Sequence, residues 1–322
     1  MKLSDVVAAF LAEQGIRHVF AISGGASLHL IHSIAEAEGT TYICPLHEQA
    51  GAFAADAYAR VTGGLGCAVA TSGPGATNLI TGICSSYYDS VPVLYLTGQV
   101  ATFRAKGDTG VRQIGFQETD TVDICRSITK YAVLVTDPYR VRYELQKAVA
   151  IARAGRPGPV LVDIPDDLQR MDIDPSRLLE FEGFPARPDT TVDEAVVDAC
   201  LDAVAGAERP VIVYGWGIHL AGAEEQARAL AVVLGVPVAM TWAATDLLPH
   251  DDPLAIGGFG THGARYANFA VQNADLIIAV GSRLDTKATG SPPSTFARGA
   301  RIVMVDIDPA EIRKFERLGV RI

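Results

Sequence analysis

The chain has 322 residues, 49% of them hydrophobic and 20% charged, enough to bury a large core and, by length, to form about two domains. With 27 basic against 37 acidic residues the net charge is −10, and no run of Lys or Arg could track a phosphate backbone, which excludes nucleic acid as an expected partner. Lys2 is followed by an amphipathic segment, and no stretch approaches the roughly 20 apolar residues of a membrane span, so a cytoplasmic protein without membrane contact is expected.

Short β-branched runs alternate with longer amphipathic segments, as when parallel strands are joined by crossover helices. Strands are predicted at His18–Ile22, Thr41–Ile43, Cys67–Thr71, Val93–Thr97, Tyr131–Val135 and Val160–Ile164, with helices over Glu48–Val61, from Ala76 onward, and over Tyr139–Arg153. Between Pro165 and Thr191 the periodicity stops, and Pro165, Pro175, Pro185 and Pro188 sit among acidic and polar residues, as in an exposed connector. Alternation then resumes, with helices at Val192–Ala205 and Ala223–Leu234 and strands at Val211–Tyr214, Val236–Met240, Leu276–Val280 and Ile302–Ile307. Around Asp306 to Glu311 a strand hands over to a helix with Asp308 as N-cap and Pro309 at the first helical position. The expected fold is α/β, with two doubly wound parallel-sheet domains at 1–166 and 191–322 joined by a linker at 167–190, the second domain incomplete at its C-terminal end.

The five cysteines, Cys44, Cys67, Cys84, Cys125 and Cys200, form no C-x-x-C pair, so reduced, mostly buried thiols are expected. No metal site is expected, and His29 with His32 reads as a helix surface. Two segments carry more information. Glu48 stands where an apolar strand end meets a helix dense in Ala and Gly, and a carboxylate there is either a first-turn stabiliser or a reactive group. Ala50, Gly51, Ala54 and Ala55 suit close packing, in the core or across a subunit contact. Thr71-Ser72-Gly73-Pro74-Gly75-Ala76-Thr77-Asn78 follows a strand and opens a helix, which fits a plain βα loop or a close approach to a flat or anionic ligand. Its spacing excludes a P-loop.

These segments occur in order with Ile22-Ser23-Gly24-Gly25 before them and with Asp89-Ser90-Val91-Pro92 and Thr97-Gly98-Gln99-Val100 after them. Gly115-Phe116-Gln117-Glu118-Thr119-Asp120, Thr129-Lys130 and Gly155 to Pro165 complete the series. The series resembles the pyrimidine-binding domain of thiamine-diphosphate (ThDP) enzymes of the acetohydroxyacid (acetolactate) synthase large-subunit type. The resemblance runs on through a Rossmann-like central domain to the end of the chain. It implies ThDP-dependent decarboxylation of a 2-keto acid with carboligation, in branched-chain amino acid biosynthesis. Glu48 would hydrogen-bond N1′ of the coenzyme's aminopyrimidine and promote its activation. Ser23, Gly24, Gly25, Thr71, Ser72, Gly73, Pro74 and Asn78 would line the pyrimidine. Phe116, Gln117 and Lys130 would line the substrate channel, although Lys130 also reads as a snorkelling surface lysine.

For the central domain the resemblance implies FAD without a redox part in the main reaction. Its contacts would be Arg156, Gly215, Trp216, Gly217, Thr241, Trp242, His262, Gly281, Ser282, Arg283, Asp285, Asp306 and Ile307. The coenzyme's diphosphate and Mg²⁺ belong in this family to a third domain with a Gly-Asp-Gly sequence and a downstream Asn, which this sequence lacks, so the chain alone is expected to be inactive. A homodimer or homotetramer and a regulatory subunit are the implied partners. Where the synthases carry an arginine for the acceptor keto acid, this chain has Lys287, preceded by Thr286 in place of a second aspartate. A point charge replaces a bidentate fork there, which leaves the acceptor open. Another ThDP lyase or acetyltransferase, or a non-catalytic nucleotide-binding module, are the rival readings.

Overall fold

Runs of three to seven residues form the first sheet of the structure, a computed structural model that describes residues 1–184 and 192–317. Its strands are β1 (His18–Ala21), β2 (Thr41–Ile43), β3 (Gly66–Ala70), β4 (Val93–Gln99), β5 (Tyr131–Leu134) and β6 (Val160–Pro165). All are parallel, in the order β2-β1-β3-β4-β6-β5. A parallel sheet must be covered on both faces, and the alternation of side chains shows how. Cys67, Val69, Leu94, Leu96, Val160 and Val162 pack with Leu3, Leu11, Leu30 and Leu145 of the helices Leu3–Glu13, Leu28–Glu36 and Val141–Arg153. Ala68, Ala70, Val93, Tyr95 and Leu161 pack on the other face with Ala52, Ala55, Ala59 and Ile83 of the helices Glu48–Thr62 and Ile80–Tyr88.

The helix Glu48–Thr62 lies close against its neighbours because the contacts are glycines. A Cβ on Gly66 would sit 2.1 Å from the Ala55 carbonyl oxygen, and one on Gly82 would sit 2.3 Å from Ala52 Cβ. Asp56, buried in the same helix, accepts from Arg60 Nε (2.6 Å) and Ser86 Oγ (2.8 Å). Ser86 Oγ also lies 3.0 Å from the Tyr95 hydroxyl, and Arg60 reaches Asp89 at 2.8 Å. Strand, helix and helix are thereby tied at one point. Gly63, with φ of +66°, ends the helix in the left-handed region.

The second sheet has β7 (Pro210–Tyr214), β8 (Val238–Met240), β9 (Ala255–Gly258), β10 (Leu276–Val280) and β11 (Arg301–Val305), all parallel, in the order β11-β10-β7-β8-β9. Glu194–Ala205, Glu224–Leu234, Arg265–Gln272 and Pro309–Arg317 are its main helices. Asp308 accepts from Ala310 N at 2.9 Å, the N-cap expected there. The α/β architecture of two parallel sheets flanked by helices agrees with the sequence reading. One strand was not anticipated: β9 holds two glycines, and only Ile256 in it is β-branched.

The chain divides into two units, Met1–Pro185 and Ala186–Ile322. Residues 185–191 of the expected linker and boundary, and 318–322 at the chain end, lie outside the described residues. Before that gap, Leu168 and Ile173 are buried and Leu3 N donates to the Met171 carbonyl (2.9 Å), so this stretch packs on the first unit. The expectation of mostly buried thiols needs correction, since Cys67 and Cys125 alone are buried. Cys44 is exposed because it follows β2, an edge strand of only three residues. Among the described residues no helix is long and apolar enough to cross a membrane.

Candidate active site

The C-terminal ends of β1, β3 and β4 converge, and the loops leaving them carry the first group of candidate residues. Thr71 is the centre. Its Oγ1 accepts from Ala26 N (3.1 Å), and its methyl group fills the space that side chains on Gly24 and Gly75 would need, at 2.4 and 2.8 Å. Ser72 is buried, and Gly73 holds φ of +64° as N-cap of the short helix Pro74–Asn78, where Pro74 needs no N–H partner. Ser23 and Gly25 are exposed at the same edge.

Glu48 enters from the other side. His47 caps its helix, its Nδ1 accepting from Gln49 N (3.1 Å), which leaves Glu48 at the first helical position. Asn78 Nδ2 donates to Glu48 Oε2 at 2.9 Å. Glu48 Oε1 accepts no hydrogen bond among the described residues and would lie 3.5 Å from a Cβ on Gly75. A carboxyl with one oxygen committed and one open thus stands beside the Gly75 backbone, and this strand-end edge is the candidate slot. A side chain at Gly24 or Gly75 would strike Thr71 and disturb it.

Gln117 closes the group. Its backbone has φ of +63°, and a Cβ on Gly73 would meet Gln117 Cβ at 2.8 Å. Phe116, beside it, is 85% exposed and meets no wall within this unit. Lys130 is not brought to this group. It precedes β5, at the opposite edge of the sheet, where its Nζ donates to the Ala154 carbonyl (2.6 Å) and to that of Ile151 at the end of Val141–Arg153. A cation is drawn there by the helix's last carbonyls. Arg156 lies at that edge too, its Nε donating to Ser90 Oγ (2.7 Å).

Three residues of the motifs, Thr97, Gln99 and Asp163, bond to one another inside the sheet. Asp163, 1% exposed in β6, accepts from Thr97 Oγ1 (2.7 Å) and Gln99 Nε2 (2.8 Å). Burial pushes its carboxyl up to about 7, partly offset by those two donors. A single acid inside an apolar strand run was the available signal, because such a group must find partners.

In the second unit the candidate residues also gather at strand ends. Gly215 and Gly217 pack on Gly281, where a Cβ on Gly215 would lie 2.4 Å from the Gly281 carbonyl oxygen, so these glycines serve strand-end packing. Trp216 leans on His219, with ring centroids 4.9 Å apart. Trp242, after β8, tilts on His262, with centroids 4.9 Å apart and half of Trp242 exposed. Ser282 is buried, and Arg283 lies 3.6 Å from Asp285. Asp285 caps the helix Thr286–Thr289 by accepting from Lys287 N (2.8 Å), and the Lys287 side chain is exposed. Asp306 accepts from Asp308 N (2.8 Å), and Thr241 and Ile307 complete this edge. Among the described residues no three His, Cys, Asp or Glu side chains are grouped to hold a metal ion.

Comparison with known proteins bears on both units. The family described as "Thiamine pyrophosphate enzyme, N-terminal TPP binding domain" matches residues 1–124, and "Thiamine pyrophosphate enzyme, central domain" matches residues 197–322. The chain is 42% identical over 320 residues to the acetolactate synthase large subunit of Parasynechococcus marenigrum, covering 97% of this chain and 50% of that protein. It is 38% identical over 326 residues to acetolactate synthase 2, chloroplastic, of Nicotiana tabacum (100% and 47%), and 40% identical over 326 residues to acetolactate synthase 1, chloroplastic, of Zea mays (100% and 49%). The chain spans about half the length of these relatives.

Proposed function

Since the chain belongs to the thiamine pyrophosphate enzymes, whose N-terminal and central domains it carries, we propose that it is the coenzyme-activating half of an acetolactate synthase-like enzyme. The observation that carries this reading is the open Glu48 oxygen beside the glycine slot, with Asn78 holding the other oxygen. In this reading Glu48 holds or releases a proton at N1′ of an aminopyrimidine, and the edge of Gly24, Thr71 and Gly75 receives the ring. ThDP, when bound, supplies the electron sink for decarboxylating a 2-keto acid. The protein's part is to orient the ring, keep water from its edge and share that proton. Gln117, packed on Gly73, forms the rim.

Mg²⁺ and the diphosphate require donors beyond the described residues, in a further domain of the full-length protein. FAD fits the second unit at the shelf of Trp242 and His262, which offers aromatic area to a flat ring. A second copy fits the outer side of the Glu48 helix, where Ala50, Phe53, Ala57 and Val61 are exposed, and a homodimer or homotetramer, with a regulatory subunit, is the proposed assembly. A cytoplasmic location, a part in branched-chain amino acid biosynthesis and the domain limits 1–166 and 191–322 belong to the same proposal. Lys287 favours a second reading in the acceptor alone: an exposed point charge in place of a fork suits another ThDP lyase or acetyltransferase. The test is release of CO₂ from pyruvate by the full-length protein with ThDP and Mg²⁺, followed by identification of the ligated product. Absence of ThDP-dependent CO₂ release from pyruvate and other 2-keto acids would refute the proposal.

A further inference from the structure

The Gln117 loop has an unusual foundation. Gln117 is neither glycine nor asparagine, yet its φ is +63°, a conformation unfavourable for an L-residue unless its surroundings impose it. Glu118 secures one side of it by accepting from Lys106 N (2.6 Å) and Ile114 N (2.8 Å), which folds residues 106–115 around one carboxylate. On the other side Gln99 Nε2 donates to the Thr119 carbonyl (2.8 Å) and also to Asp163 Oδ2 (2.8 Å), while Gln99 Oε1 accepts from Val100 N (2.9 Å). The Thr119 carbonyl accepts as well from Thr121 N, within its own segment, so Gln99 is its tie to the sheet among the described residues.

The Thr119 carbonyl and Val100 N favour one orientation of the Gln99 amide, and Asp163, accepting from the same NH₂, holds it there. With a carboxylate behind it, Gln99 must point its NH₂ inward, and that same NH₂ reaches Thr119. Turned over, it would set oxygen against the Thr119 carbonyl and NH₂ against Val100 N. We propose that Asp163 is a positioning residue: through Gln99 it fixes the Gln117 loop against Gly73, and so shapes the mouth of the Glu48 slot. The last clause rests on the reading of that slot as the coenzyme half-site; the brace itself does not.

The experiment is hydrogen–deuterium exchange on the full-length protein, followed in peptides covering residues 113–121, for Asp163→Val, Thr97→Val and the double variant Asp163→Asn/Gln99→Glu. Asp163→Val leaves Gln99 without the acceptor that holds its NH₂, so the brace should loosen and exchange there should rise about tenfold. In the double variant the amide introduced at position 163 donates to the carboxylate introduced at position 99, and Val100 N keeps its acceptor. Nothing then donates to Thr119, so the loop should loosen with the sheet interior satisfied. Thr97→Val removes a donor to the same carboxylate and leaves the Gln99 bond, so the loop should stay protected. Unchanged exchange in Asp163→Val or in the double variant, or loosening by Thr97→Val as great as theirs, overturns the brace. With pyruvate, a KM several-fold higher at nearly constant kcat is expected in the double variant. Faster exchange with unaltered kinetics would uphold the brace and remove Gln117 from the mouth of the slot.

Discussion

Replacing Glu48 by glutamine separates the chemistry of the site from its architecture. The change is nearly isosteric, and the new amide oxygen can still accept from Asn78, whose Nδ2 lies 2.9 Å from Glu48 Oε2. That bond declines from charge-assisted to neutral, at about 1 kcal/mol, and the helix loses a first-turn charge that contributes about 0.3–1 kcal/mol. Together these cost about 1–2 kcal/mol, which in a chain of this size lowers Tm by only a few degrees. The packing at Gly66 and Gly82 and the Asp56 network are untouched, so the fold should persist. Turnover is affected differently. A positioned proton-transfer group contributes about 10²–10⁴-fold, equivalent to about 3–5 kcal/mol of barrier, and an amide cannot share a proton with N1′. Full-length Glu48→Gln, assayed for CO₂ release from pyruvate with saturating ThDP and Mg²⁺, should therefore lose at least a hundredfold in kcat while melting close to wild type. A kcat within a few-fold of wild type would refute the role given to Glu48, and a collapse of the melting transition would show that its part is structural.

Gly66→Ala should destabilise the first unit by about 1–3 kcal/mol, read as a lower urea midpoint, because its Cβ would press on the Ala55 carbonyl at 2.1 Å. Asp163 gives a pH signature. Its folded value near 7 stands above the usual carboxyl range, so the native state holds a proton that the unfolded chain releases, and its contribution to stability is full below about pH 4 and falls as pH rises towards 7. The stability of Asp163→Asn minus that of wild type should accordingly rise by up to about 4 kcal/mol between pH 4 and 7 and level off above, and a flat difference would contradict the assignment. Trp242→Ala should lower flavin retained by the purified full-length protein about tenfold relative to wild type, measured by visible absorbance. Wild-type protein free of flavin would remove FAD from the account.

Much of this was legible in the sequence because parallel strands buried on both faces are nearly continuous apolar runs, as at Val93–Leu96 and Leu276–Val280, and because Glu48 stands at a sharp change from strand to small-residue helix. Strand ends were less legible. β1, β3 and β11 stop one or two residues short of their predicted ends, at Ala21, Ala70 and Val305, where the chain turns off into loops, and β4 continues to Gln99. The strand β9 escaped notice because Gly257 and Gly258 carry no pattern, their place being set by pairing with Ala239 and Met240. Lys130 and Arg156 matched a role by residue type alone, although each precedes a strand and so belongs to the N-terminal end of a parallel sheet, opposite the loops that carry Glu48 and Thr71. The direction of the Asp163 and Gln99 side chains was invisible, since it depends on the register of β4 with β6.

The helix that carries Glu48 is fastened along its middle. Asp56, about 12 Å along the axis from Glu48, is where the buried ties to Ser86 and Arg60 are made, while at the near end Asn78 is the side-chain partner of the carboxyl. The carboxyl therefore takes its coordinates from the buried packing of its helix and from Asn78. The exposed stretch 104–112 can change length and charge without disturbing those ties. On the proposed function, substrate range and coenzyme activation would then vary independently within one scaffold.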